Sequence, residues 1–108
     1  MANFMQMMQK AQSFKAKYKD LQDRVGAMEM TGQAASGQIT CRMNGKFELK
    51  GLKLDPVLVA GTDVDMLEDL IVAAVNDGRN KAEQIVADET RKLLQDLGLP
   101  PGFDPGIF

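Results

Sequence analysis

Neither histidine nor tryptophan occurs in this 108-residue chain, and cysteine occurs once, as Cys41. Without histidine the chain lacks the commonest general base, the usual imidazole metal ligand and every Ser-His or Cys-His nucleophile arrangement. A hydrolase of standard type is thereby excluded. A lone cysteine can form neither an intrachain disulfide nor a thiolate cluster around a metal, so Cys41 reads as a buried strand thiol. The glycines are scattered, with no Walker pattern and no G-x-G-x-x-G to cradle a nucleotide. Asp63, Asp65, Glu68 and Asp69 match no EF-hand spacing and suit the first turn of a capped helix instead. No catalysis, cofactor, metal or small-molecule substrate is implied. No run approaches the ~20 apolar residues of a membrane helix. At the start, Gln6 and Gln9 interrupt Phe4, Met5, Met7 and Met8, which is no export pattern. The expected location is the cytosol, with no membrane partner.

What is present is ordinary in amount and unusual in kind. Hydrophobic residues make up 44% of the chain but aromatics only 6%, and eight methionines fill much of the difference. Such a core is aliphatic and adaptable. A single domain of this length buries perhaps two-thirds of its unfolded surface and has little core to spare, so a partner chain would help it. The net charge of −2 taken alone argues against a nucleic-acid partner. Its distribution does not. From Met1 to Met30, Lys10, Lys15, Lys17, Lys19 and Arg24 outweigh Asp20, Asp23 and Glu29; from Thr31 to Ala60, Arg42, Lys46, Lys50 and Lys53 outweigh Glu48 and Asp55; the remainder is strongly acidic. The chain is polarised from basic to acidic.

Phe4, Met7, Ala11, Phe14, Tyr18, Leu21, Val25 and Met28 are separated alternately by three and four residues, the seam spacing of a coiled coil. A helix is predicted from about Phe4 to Val25, roughly 33 Å long, its seam flanked by Lys10, Lys17 and Arg24 on one side and Lys15 on the other. The period then falls to two. Met28 and Met30 suggest a short strand, Gly32 to Gly37 a turn or mobile loop, and Ile39, Cys41 and Met43 a second strand. Asn44-Gly45 predicts a type I′ hairpin, whose central residues need positive φ. The return strand carries Phe47 and Leu49, then Leu52 and Leu54, a change of parity that one bulged residue at Lys50-Gly51 would produce. Lys46, Glu48, Lys50 and Lys53 form its outward face, and Asp55-Pro56 ends it. Thr62 or Asp63 caps a second helix whose apolar period lasts until Gly98; unbroken, it is about 50 Å long and must project beyond its own globule. Gly78 within it is a break, a tolerated surface glycine or a close approach. The tail from Leu99 holds Pro100, Pro101 and Pro105 and is not helical. It frays, or Phe103, Ile107 and Phe108 dock on a groove. Residues 1–98 thus read as one domain and 99–108 as its tail.

The stretch from Lys10 to Lys19 has four lysines and no acid. From residues alone, it is either a phosphate-binding face or a solvated or partner-facing surface.

Helix, three-stranded meander, long helix and Pro-rich tail, in that order, resemble the YbaB/EbfC family. Its features appear as Met30-Thr31-Gly32, Met43-Asn44-Gly45, Leu54-Asp55-Pro56, the run from Met66 to Asp77, and Leu99-Pro100-Pro101-Gly102-Phe103. Gly78 departs from the family's usual alanine, and the second helix is only weakly basic. The resemblance implies a homodimer with helices projecting like tweezers, dimer-dependent DNA binding, and a role in nucleoid organisation or gene regulation. The expectation is an α+β fold, helix-β-β-β-helix, with a three-stranded antiparallel meander in two layers. Phe4, Met7, Ala11, Phe14, Tyr18 and Leu21 are the expected dimer contact. Lys10, Lys15, Lys17, Lys19 and Arg24 are expected to meet the phosphates of double-stranded DNA. The alternative is a dimeric adaptor or chaperone-like protein that binds polypeptide through its Met-rich helices and apolar tail.

Overall fold

The computed structural model describes residues 2–99. Helix α1 (Ala2–Gly26) leads into strands β1 (Glu29–Ala34), β2 (Ile39–Asn44) and β3 (Leu49–Leu54), followed by a short α2 (Pro56–Gly61) and a long α3 (Val64–Asp96). The strands form an antiparallel sheet in the order β1-β2-β3. The α+β meander between two helices matches the sequence expectation, and so does the bulge. Arg42 pairs with Gly51 and Met43 with Leu49, which leaves Lys50 as the extra residue. That extra residue keeps the leucines of β3 on the face shared by Ile39, Cys41 and Met43.

Three details differ from the sequence expectation. The first half of the loop expected over Gly32 to Gly37 is strand, because β1 pairs with β2 through Ala34. Only Ala35, Ser36 and Gly37 turn, all at positive φ. The β2–β3 hairpin is not type I′. Its turn closes by Phe47 N–H donating to the Asn44 carbonyl (3.0 Å) and places Phe47, at φ 63°, in the left-handed position. Gly45 is needed for space instead: a Cβ there would meet the Val25 carbonyl oxygen at 2.4 Å, and its own N–H donates to that oxygen (2.9 Å). The end of α1 is thereby pinned to the hairpin. Finally, α2 is an additional element, signalled by Asp55 as N-cap with Pro56 behind it.

Asp63 caps α3, accepting from Met66 N–H at 2.8 Å. The helix runs through Gly78 without a break and ends where Gly98 takes a positive φ and Leu99 N–H donates to Leu94 O. Gly78 is a close approach. Its backbone faces Gly32 of β1, and a Cβ on Gly32 would lie 2.3 Å from both Ala74 O and Gly78 N. Cys41, buried as expected, donates its S–H to Ala74 O at this crossing.

Helix α3 serves two cores. Its first half lies across β1 and β2, and further along Ala82 joins Met30 and Met43. Its last turns carry Leu93 and Leu94, which meet Phe14, Leu21 and Val25 of α1 together with Leu99. The molecule is accordingly a rod of 69 × 20 × 18 Å. Beyond Leu99 the expected tail lies outside the described residues.

Candidate nucleic-acid interface

The α1 seam is filled by α3 of the same chain. Phe14 and Leu21 are buried in this pairing, Ala11 and Tyr18 partly so, and Phe4 and Met7 remain exposed. A helical seam on its own does not say whether its partner lies in the same chain or in another. The two helices run antiparallel, with Arg24 beside Glu89 and Lys10 near Gly98. Residues 2–9 therefore extend about 12 Å past the end of α3.

On this arm the five cations occupy two flanks. Lys10, Lys17 and Arg24 recur every seven residues along one side, while Lys15 and Lys19 share the other. Lys17 and Arg24 line a groove with Asp20, Glu89, Lys92 and Asp96. There Arg24 is engaged: its Nη2 lies 2.9 Å from Glu89 Oε2, and Lys92 Nζ approaches the same carboxylate at 3.7 Å. Lys10, Lys15, Lys17 and Lys19 have no ion-pair partner among the described residues. Against these cations α1 carries only Asp20 and Asp23.

The acids gather elsewhere. Asp55, Asp63, Asp65, Glu68, Asp69 and Asp77 all precede Gly78, with no lysine or arginine among them. Charge is thus separated along the rod, positive on the α1 arm and negative around the start of α3. Such a dipolar distribution orients a molecule approaching a polyanion.

A further cation, Lys46, reaches the arm from the hairpin and was not singled out as a site residue from sequence. Its side chain covers Gly26, where a Cβ would meet Cε at 2.8 Å. With Lys19, Asp23, Tyr18, Val86 and Phe47 it lines a second groove at the elbow between arm and sheet. Asn44 shapes this elbow. Its Oδ1 accepts from Lys46 N–H (2.9 Å) and Glu48 N–H (3.0 Å), and its Nδ2 donates to Glu48 Oε1 at 2.8 Å. The Asn44 hydrogen bond, then Lys50 and Lys46, hold the Glu48 carboxyl below its ordinary pKa. Asn-Gly marks a turn in sequence; that this turn folds onto α1 depends on a contact between residues 20 apart.

The chain is similar to several known proteins. A nucleoid-associated protein of Rhodospirillum centenum is 47% identical over 103 residues, covering 95% of this chain and 96% of its own. One from Mesorhizobium japonicum is 42% identical over 102 residues, covering 94% and 95%. A solved but uncharacterised protein of Helicobacter pylori shares the fold with a TM-score of 0.67 at 22% identity, over 77% of this chain and 87% of its own. Residues 1–97, which include all three helices and the whole sheet, match the profile of the YbaB/EbfC DNA-binding family, and the chain belongs to that family.

Proposed function

We propose that this protein binds double-stranded DNA in the bacterial nucleoid as a homodimer, chiefly through phosphates, and thereby organises the nucleoid or regulates genes. The observation that carries this reading is the set of α1 lysines without an ion-pair partner among the described residues, Lys10, Lys15, Lys17 and Lys19, at the end of the rod remote from the acidic start of α3, in a chain of a DNA-binding family. Arg24 is a weaker contact because Glu89 already holds it. With lysines on both flanks, the arm suits insertion between two runs of phosphates rather than contact along one face.

In this reading the second copy packs on the sheet. Leu49 and Leu52 of β3 share the inner face with Met43 and Cys41, yet they are 48% and 43% exposed because α3 stops short of them. Val57 and Val59 of α2 and Met66 of α3 are exposed nearby in sequence. An uncovered apolar row on a sheet edge calls for a partner. A dimer joined there leaves both arms projecting.

The test is DNA affinity as a function of salt. Each neutralised phosphate contributes about 0.9 to the slope of log K against log salt on duplex DNA. The triple variant Lys15→Glu, Lys17→Glu, Lys19→Glu should lower that slope by about 3 and weaken all duplexes alike. Unchanged binding at two salt concentrations would remove α1 as the contact. The exposed Phe4, Met5, Met7 and Met8 at the arm's end support the polypeptide-binding alternative. Capture of an unfolded chain, with no salt-dependent DNA binding, would establish that alternative instead.

A further inference from the structure

The tip of the β2–β3 hairpin contains a residue that its own turn does not want. Position 47 has φ 63°, a conformation that glycine adopts freely and that costs a bulky residue on the order of 1–2 kcal/mol. The turn itself has no need of a phenyl ring. It is held by the Phe47 N–H to Asn44 O bond and by the Asn44 side chain, none of which involves the ring. Nor is the ring repaid by full burial, since Phe47 remains 45% exposed. Strain retained at an exposed site points to use.

The surroundings indicate which use. Phe47 borders the elbow groove, whose floor includes Tyr18, Val25 and Val86 and whose charged groups are Lys19, Lys46 and Asp23. Glu48, next in sequence, is already engaged by Asn44 at 2.8 Å and approached by Lys50 at 3.9 Å. The elbow groove therefore brings a half-exposed aromatic ring together with Lys19 and Lys46, at one end of the α1 flank that carries Lys15 and Lys19. An apolar side chain set among cations suits the groove of a duplex, where the ring meets sugar faces, thymine methyls or the stacked faces of a base step while the flanking phosphates take the cations.

We infer that the hairpin tip is a second DNA contact, with the Phe47 ring seated in a duplex groove and Lys46 on an adjacent phosphate. This inference rests on the DNA-binding reading above and extends the contact from the arm to the elbow. Because the ring carries no charge, its contribution must appear in affinity and not in counterion release. The charged Lys46 must contribute to both.

The experiment compares Phe47→Gly, Phe47→Trp and Lys46→Gln with the wild type by fluorescence anisotropy on a labelled duplex across a salt series, with thermal melting of each protein. Phe47→Gly relieves the positive φ and should melt at or above the wild-type temperature, while binding about tenfold more weakly with an unchanged salt slope. Phe47→Trp should retain affinity. Lys46→Gln should lower the slope by about one. Wild-type affinity in Phe47→Gly, while the triple lysine variant remains impaired, would overturn the hairpin contact and leave the arm contact standing. A parallel loss of melting temperature and affinity in Phe47→Gly would make the ring a packing element of the elbow, which also overturns the inference. Absence of salt-dependent binding by the wild type would reject the DNA-binding reading itself, and the hairpin contact with it.

Discussion

Two glycines face each other where β1 crosses α3, and the structure predicts that they respond very differently to the same added methyl group. In Gly32→Ala the new Cβ would stand 2.3 Å from both Ala74 O and Gly78 N and 2.7 Å from Gly78 Cα, all main-chain atoms in the middle of a helix. Ordinary contact requires the strand and helix to separate by roughly 1 Å, and backbone in regular structure yields only by moving whole elements. Overpacking of this kind costs about 1–3 kcal/mol. Separation also endangers the Cys41 S–H to Ala74 O bond (3.2 Å), worth about 1 kcal/mol more. A total near 3 kcal/mol would remove a large share of a stability of about 5–15 kcal/mol. The melting temperature should then fall by roughly 12–24 °C. In Gly78→Ala the new Cβ meets only Cys41 Sγ below 3.4 Å, at 2.9 Å, so a single buried thiol must yield in place of helix backbone, at the expense of its bond to Ala74 O. Replacing a mid-helix glycine returns about 1 kcal/mol, so the net change should stay within about 1 kcal/mol of zero. Thermal melts followed by circular dichroism, all at one protein concentration because assembly couples to stability, measure both. A Gly32→Ala protein as stable as wild type, or a Gly78→Ala protein less stable than Gly32→Ala, would refute the close-crossing argument.

Leu52→Asp places a charge on a residue already 43% exposed, so the folded chain should keep its circular dichroism while light scattering reports a monomer; a persistent dimer would move the interface off β3. Phe14→Asp, by contrast, buries its charge between α1 and α3 and should unfold the arm whatever the state of assembly. Asp77 accepts from Gln33 N–H at 2.9 Å and from Lys81 at 3.2 Å, and these bonds hold its pKa below the ordinary value, with Gln33 the larger cause. A depressed folded-state pKa stabilises the fold fully above the unfolded pKa, and that contribution is lost as pH falls through the lowered value. The stability difference between wild type and Asp77→Asn should therefore be constant from neutral pH down to the usual carboxylate range and shrink only below it. A difference that persists unchanged in strong acid would mean that the carboxylate charge is not its source.

How much of this was legible in the sequence depended on whether the cause was local. The 3,4 spacing from Phe4 to Val25, the parity change at Lys50 and Gly51, and the helix stop at Gly98 are written in neighbouring residues, and all three appear in the structure. Gly45 and Gly78 were visible as glycines, but the reason for each is a backbone more than ten residues away, so the hairpin type was misread and the role of Gly78 stayed open. The lysines of α1 were identifiable; their division between two flanks, and the capture of Arg24 by Glu89, depend on where α3 returns. Lys46 and Phe47 lay in an apparently routine turn. Only the positive φ at Phe47 and the contact with α1 draw attention to them.

The 33-residue α3 is one continuous helix from the sheet along the arm to the level of Lys10, with no proline inside it and its single glycine wedged against β1. A hinge needs a place where backbone torsions can change, and α3 offers none between its two cores. The hairpin, tied by Gly45 N–H to Val25 O, braces α1 in the same way. In the proposed dimer the spacing between the arms is then fixed like the jaws of a locked caliper. Such a tool gauges duplex width and phosphate spacing by fit, and DNA whose groove does not match that gap must itself deform to enter.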